Sequence, residues 1–136
     1  MIVVTDGQDA RVRAVLEKNG RSLAFPDEAQ CDLAVVDLDA AGHPQAVIAG
    51  FRWGGVPVME HLECRPKRFS VGRVRGLVRV FLAETVRRGW GDWVVTPLDP
   101  RSRRYRMLRR LCARIGGEPY ARQGDTVEWV RFRGGV

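Results

Sequence analysis

The segment Leu62-Glu63-Cys64-Arg65-Pro66-Lys67-Arg68-Phe69-Ser70-Val71-Gly72-Arg73 carries the most chemistry in this chain. An apolar run ends in a basic turn, and small residues then open a stretch whose spacing predicts a helix over 71–88. The first N–H groups of a helix have no partner inside it and lie at the positive end of its dipole, so such a turn can hold an anion. Arg65, Lys67, Arg68 and Arg73 crowd around it. These residues suit a phosphate-bearing ligand. Ser70, Val71, Gly72 and Arg73 would offer backbone N–H groups, and Lys67 and Arg68 would add charge.

Just upstream, residues 56–64 read as a strand holding Glu60, His61 and Glu63, the densest titratable set in an otherwise apolar element. Alternation puts residues 59, 61 and 63 on one face and Glu60 on the other. Any one of the three could relay a proton from an amine; each could equally be solvated or paired across strands. Acyl transfer from a thioester to an amine would use such a set. It needs a carbonyl polarised by a backbone N–H and an amine stripped of its proton.

The elements that must position these groups follow from periodicity and punctuation. A strand at Ile2-Val3-Val4 leads to a helix capped by Asp6, with Val12, Val15 and Leu16 on its buried face and Gly20 as its stop. Residues 21–30, with Pro26, read as a loop with at most one helical turn. Strands over 32–37, 46–53 and 56–64 form an antiparallel meander. The helix over 71–88 turns Val74, Leu77, Val78, Phe81, Leu82 and Val86 inward, and Arg75, Arg79, Glu84, Arg87 and Arg88 outward. A strand over 93–98 and a second helix over 101–115 follow, the latter with Met107, Leu108, Leu111, Cys112 and Ile115 inward. A hairpin of 118–122 and 126–132 closes the chain.

At 136 residues and 45% hydrophobic content the chain reads as one domain, 1–136, with its own core. It has no apolar run near the roughly 20 residues that cross a bilayer, and no secretory leader pattern at its start. Cys31, Cys64 and Cys112 have no metal-ligand spacing, so no metal site is expected and a reducing cytoplasmic setting fits best. Residues 1–64 hold five basic and ten acidic residues, whereas 65–136 hold eighteen and six. The basic half points to a polyanionic ligand, either a phosphorylated cofactor or nucleic acid.

The order strand, helix, meander, basic turn, helix, strand, helix, hairpin resembles the GNAT superfamily of acyl-CoA N-acyltransferases. The family ends its meander in an apolar-x-apolar-x-Pro pattern, matched by Leu62-Glu63-Cys64-Arg65-Pro66. Its pyrophosphate loop, Gln/Arg-x-x-Gly-x-Gly/Ala, falls on Lys67 to Gly72, with Lys67 for Gln/Arg and Ser70 for the first Gly. Asp99 stands where the family often has an Asn contacting the pantetheine arm. The run Leu111-Cys112-Ala113-Arg114-Ile115-Gly116-Gly117 is similar to the family's Leu-Tyr-x-x-x-Gly-Phe, with Cys112 at the tyrosine that protonates the departing thiolate and Gly117 at the Phe.

The resemblance implies a short, divergent α/β (α+β) domain: a mixed, mostly antiparallel central sheet with flanking helices. It implies acetyl-CoA or another acyl-CoA as co-substrate and an amine acceptor in a shallow, open site. Cys64, Lys67, Arg68, Ser70, Val71, Gly72, Arg73 and Asp99 would bind the coenzyme, and Glu60, His61, Glu63 and Cys112 are the catalytic candidates. Read from its residue type alone, Cys112 is a small hydrophobe on a helix face. Two other readings are open: a non-catalytic GNAT-like structural or interaction protein, phage-encoded for instance, and a nucleic-acid module resting on the arginines of 101–114. The second is disfavoured because no aromatics interleave with those arginines. Edge strands leave room for a homodimer.

Overall fold

Runs of Val, Ile and Ala build the sheet, because branched side chains pack well on a pleated surface. The computed structural model describes residues 1–21 and 31–134. Seven strands, β1 (Ile2–Thr5), β2 (Leu33–Leu38), β3 (Pro44–Trp53), β4 (Val56–Cys64), β5 (Trp93–Leu98), β6 (Glu118–Gln123) and β7 (Val127–Arg133), form one sheet in the order β1-β2-β3-β4-β5-β7-β6. Three helices, α1 (Ala10–Lys18), α2 (Val71–Arg87) and α3 (Tyr105–Arg114), lie against it. The strands pair antiparallel except β4 and β5, which run parallel and are joined through α2. This is the expected mixed sheet with flanking helices. The loop reading of residues 21–30 lies, apart from Arg21, outside the described residues.

The sheet has two unequal faces. On one, α1 packs Val12, Val15 and Leu16 over Ala34, Val36, Val47 and Ala49. On the other, α2 and α3 cover Leu33, Val35, Ile48 and Met59 with Val74, Leu77, Phe81, Leu111 and Ile115. Fully burying aliphatic or Phe side chains such as these is worth roughly 1.5–3 kcal/mol each before entropy is charged.

Strict alternation fails in β4. Ala49 pairs with His61 but Gly50 pairs with Met59, so Glu60 is an extra residue in a β-bulge. Gly50 makes the bulge feasible: a Cβ there would stand 2.1 Å from the Val58 carbonyl oxygen and 2.8 Å from the Phe81 ring. The bulge puts Met59 with Leu62 and Cys64 in the α2-side core rather than with His61 and Glu63, correcting the face assigned to residue 59. His61 and Glu63 do share the α1 side.

Other boundaries move for local reasons. Asp9, not Asp6, caps α1: its carboxylate accepts from the Arg11 N–H at 2.9 Å and from Thr5 Oγ1 at 2.9 Å. Asp6 instead closes a turn onto the Gln8 N–H. α3 starts at Tyr105 rather than 101, because Asp99 accepts the Arg101 N–H and holds the preceding residues in turns. Val86 and Met107 are exposed, with Thr85 buried in the inward row of α2. Glu84, expected outside, is buried between Arg87 and Arg88 at 2.5 and 2.8 Å, and these guanidinium groups hold its pKa at about 2.

Candidate active site

A cleft opens where β4 and β5 part. Their register holds at Val58 and Val95 alone. One step further the Thr96 hydroxyl donates to the Met59 carbonyl at 2.7 Å, a side-chain bond where a ladder bond would be expected. Pro97, which has no N–H to give a neighbour, follows it. Beyond that point lies a cavity of about 400 Å³, reaching from Glu60, His61 and Thr96 at the gap to Asp99, Ser102 and Cys112. A second cavity of about 610 Å³ adjoins it, sharing Leu62, Glu63, Arg104, Leu108 and Leu111 and reaching Cys64, Arg65, Lys67 and Phe69. Together they form a channel from the sheet to the turn before α2. The structure thus brings the strand carboxylates, Cys112, Asp99 and part of the basic turn to one cleft.

The titratable groups on β4 differ in surroundings. Glu60, thrown out of register by the bulge, is half-buried, and burial pushes its pKa above the ordinary carboxylate range. It has no ion pair with any described residue. His61 is pushed down by burial and further by Arg21, against an opposing pull from Glu63, so its imidazole is neutral near pH 7. Glu63 is buried and committed: Arg21 approaches at 3.2 Å, and Asn19 Nδ2 donates to it at 3.0 Å and to the Cys64 carbonyl at 2.8 Å. Glu63 fastens the end of α1 to β4, so a proton taken there would break a structural contact.

Cys112 sits inward on α3, and burial pushes its thiol up to about 11. An ordinary thiol titrates near 8.5, so protonating such a thiolate from Cys112 would run uphill by about 3 kcal/mol. The residue packs as a hydrophobe. Cys64 is half-buried, its thiol likewise raised by burial. Asp99 is exposed and bound to its neighbour Arg101, whose hydrogen bonds lower its pKa.

The turn before α2 is organised from within. Lys67 adopts φ 65°, the left-handed region uncommon outside glycine, and the Arg68 N–H donates to the Arg65 carbonyl at 3.0 Å. Ser70 caps α2, its hydroxyl accepting from the Arg73 N–H at 3.1 Å. Arg73 Nε meets Asp37 on β2 at 2.8 Å, and its guanidinium also donates to the Arg68 carbonyl. Arg73 therefore braces the turn, with its backbone N–H already used. The N–H groups of Val71 and Gly72 remain at the helix start. A Cβ on Gly72 would meet nothing within 4 Å, so the space beside the first turn of α2 is open.

Sequence reading missed Thr96, Arg104 and the pairing of Glu63 with Arg21 and Asn19. A glycine inside a strand, Gly50, was the available signal for the bulge. The remaining contacts join segments far apart in sequence and left no local mark.

No protein-family model matches the chain, and no curated protein matches it in sequence. Solved structures do. A protein from Desulfovibrio desulfuricans, assigned to the GNAT family of acetyltransferases, aligns with TM-score 0.71 at 20% identity over 98% of this chain and 99% of the other. The aminoglycoside 6'-N-acetyltransferase of Enterococcus faecium gives 0.70 at 13% identity over 98% and 96%. The PaiA N-acetyltransferase of Thermoplasma acidophilum, solved with coenzyme A, gives 0.61 at 9% identity over 74% and 59%. At these identities the likeness shows the fold. The chain has the fold of the GNAT acetyltransferases.

Proposed function

We infer that the protein is an acyl-CoA-dependent N-acyltransferase acting on an amine presented at an open cleft. The observation that carries this reading is the parted β4–β5 pair, with a desolvated Glu60 at one end of its channel and the turn before α2, with Arg65 and Lys67, at the other. The fold it shares with acetyltransferases supports it, as does the coenzyme A bound to the Thermoplasma protein.

In this reading the N–H groups of Val71 and Gly72, with Lys67 and Arg68, hold the coenzyme diphosphate, and the channel past Cys64 and Leu62 takes the pantetheine arm. Glu60 is the base. Its carboxylate takes the proton the amine loses as the nitrogen bonds to the thioester carbonyl carbon. The C–S bond breaks, and the thiolate leaves with the electron pair and is protonated by water. Neutral His61 lies beside Glu60 on β4 and keeps the rim of the gap free of a second charge.

Equilibrium binding of CoA to the purified protein, followed by turnover with a panel of amines and peptides, tests this. CoA binding with turnover that collapses in Glu60→Gln is expected. No CoA binding would exclude the reading, and binding with no turnover on any acceptor would leave the non-catalytic alternative.

A further inference from the structure

The inner part of the splay cavity is not needed for transfer of an acetyl group. It is walled by Val78 of α2, Cys112 of α3, Ile115 at the end of α3, Phe132 of β7, and Met59 and Leu98. None of these six is more than 7% exposed. They line the same cavity as Glu60 and Thr96, so an apolar recess lies behind the polar gap. Protein cores are normally filled to crystal density, and apolar voids hold water poorly. A recess continuous with a reaction gap therefore favours an apolar group attached to the reacting atoms.

Building on the acyl-CoA reading above, we propose that this recess receives the acyl tail, and that the donor is a short straight-chain acyl-CoA longer than acetyl, with Cys112 setting the length. The cavity, about 400 Å³, lies at the small end of ligand sites, which suits a tail of roughly four to six carbons beside the end of the arm. A thiol is compact, so Cys112 leaves space on the face of α3 that a longer side chain would fill. Its desolvated surroundings fit an apolar tail.

Each methylene moved from water into such a lining raises affinity about fourfold. Binding of CoA, acetyl-CoA, butanoyl-CoA and hexanoyl-CoA to the unaltered protein should show butanoyl-CoA at least about tenfold tighter than acetyl-CoA. Cys112→Phe and, separately, Ile115→Phe should erase that ratio. Affinity that is flat or falls with chain length overturns the proposal while CoA binding still supports the coenzyme reading. Failure of all four to bind removes both. A chain-length gain that survives both substitutions places the tail elsewhere and also overturns it. The length series uses the unaltered protein, so a variant that fails to fold does not spoil the test.

Discussion

Glu60 and Glu63 stand three residues apart on one strand and meet opposite surroundings. At the gap, Glu60 is desolvated with no ion-pair partner among the described residues, and its proton is held more tightly. At the mouth, Glu63 is more deeply buried yet satisfied by Arg21 and Asn19. Burial alone does not make a carboxylate reactive. The difference lies in whether the fold supplies a counter-charge. Where it does, the residue is mortar; where it does not, the residue keeps a proton-accepting capacity that chemistry can use.

The sharpest way to break this contrast is to neutralise each carboxylate. Glu60→Gln should slow single-turnover acyl transfer by about 10²–10⁴-fold, the usual cost of losing a general base. In the parent protein the rate should climb with pH through a value above the ordinary carboxylate range, and this limb should vanish in the variant. The stability effect has the opposite sign. The folded state binds the Glu60 proton more tightly than the unfolded chain, so its stabilisation is full at low pH and lost as pH rises through the raised value. Glu60→Gln should therefore melt above the parent at pH 7, with the gap closing near pH 4.

Gly72→Glu tests the other end of the channel. It should weaken CoA at least about tenfold in calorimetry, because it sets a charge beside the first turn of α2. Its melting temperature should stay near that of the parent, since a Cβ there meets nothing within 4 Å. Unchanged CoA affinity would show that the diphosphate lies elsewhere. Glu63→Gln should lose about 1–3 kcal/mol in urea denaturation, through its contacts with Arg21 and Asn19, and slow transfer less than Glu60→Gln. A larger kinetic loss there would reverse the comparison. Cys112→Ala should change turnover least, by less than about tenfold; a drop of about 1000-fold with CoA binding intact would make the thiol the proton donor.

The order of elements was legible in sequence because it rests on local signals. Val12, Val15 and Leu16 repeat at helical spacing, and Gly54-Gly55 and Gly116-Gly117 mark real stops. The basic turn was equally visible. What each residue does within it was not, because that depends on partners distant in the chain. Arg73 looked like a phosphate ligand until Asp37, 36 residues away, claimed its side chain. Glu63 looked like a base until Asn19, 44 residues away, reached it. The turn toward α3 misled for a shorter-range reason, as Asp99 captures the Arg101 N–H before the helix can begin.

The bulge in β4 works as a change of parity. A strand addresses its side chains alternately to two compartments, and one supernumerary residue taken up in a bulge shifts the count along the chain without exchanging the addresses downstream. Removing Glu60 would therefore leave that sorting intact: Met59 would still pair with Gly50 and His61 with Ala49, so Leu62 and Cys64 would keep the α2-side core and Glu63 its contacts with Arg21 and Asn19. The gap residue is a guest in a strand whose other residues are already addressed without it. A single-codon deletion there should cost the carboxylate and spare the second half of the strand, whereas deleting Leu62 would exchange the faces of Glu63 and Cys64.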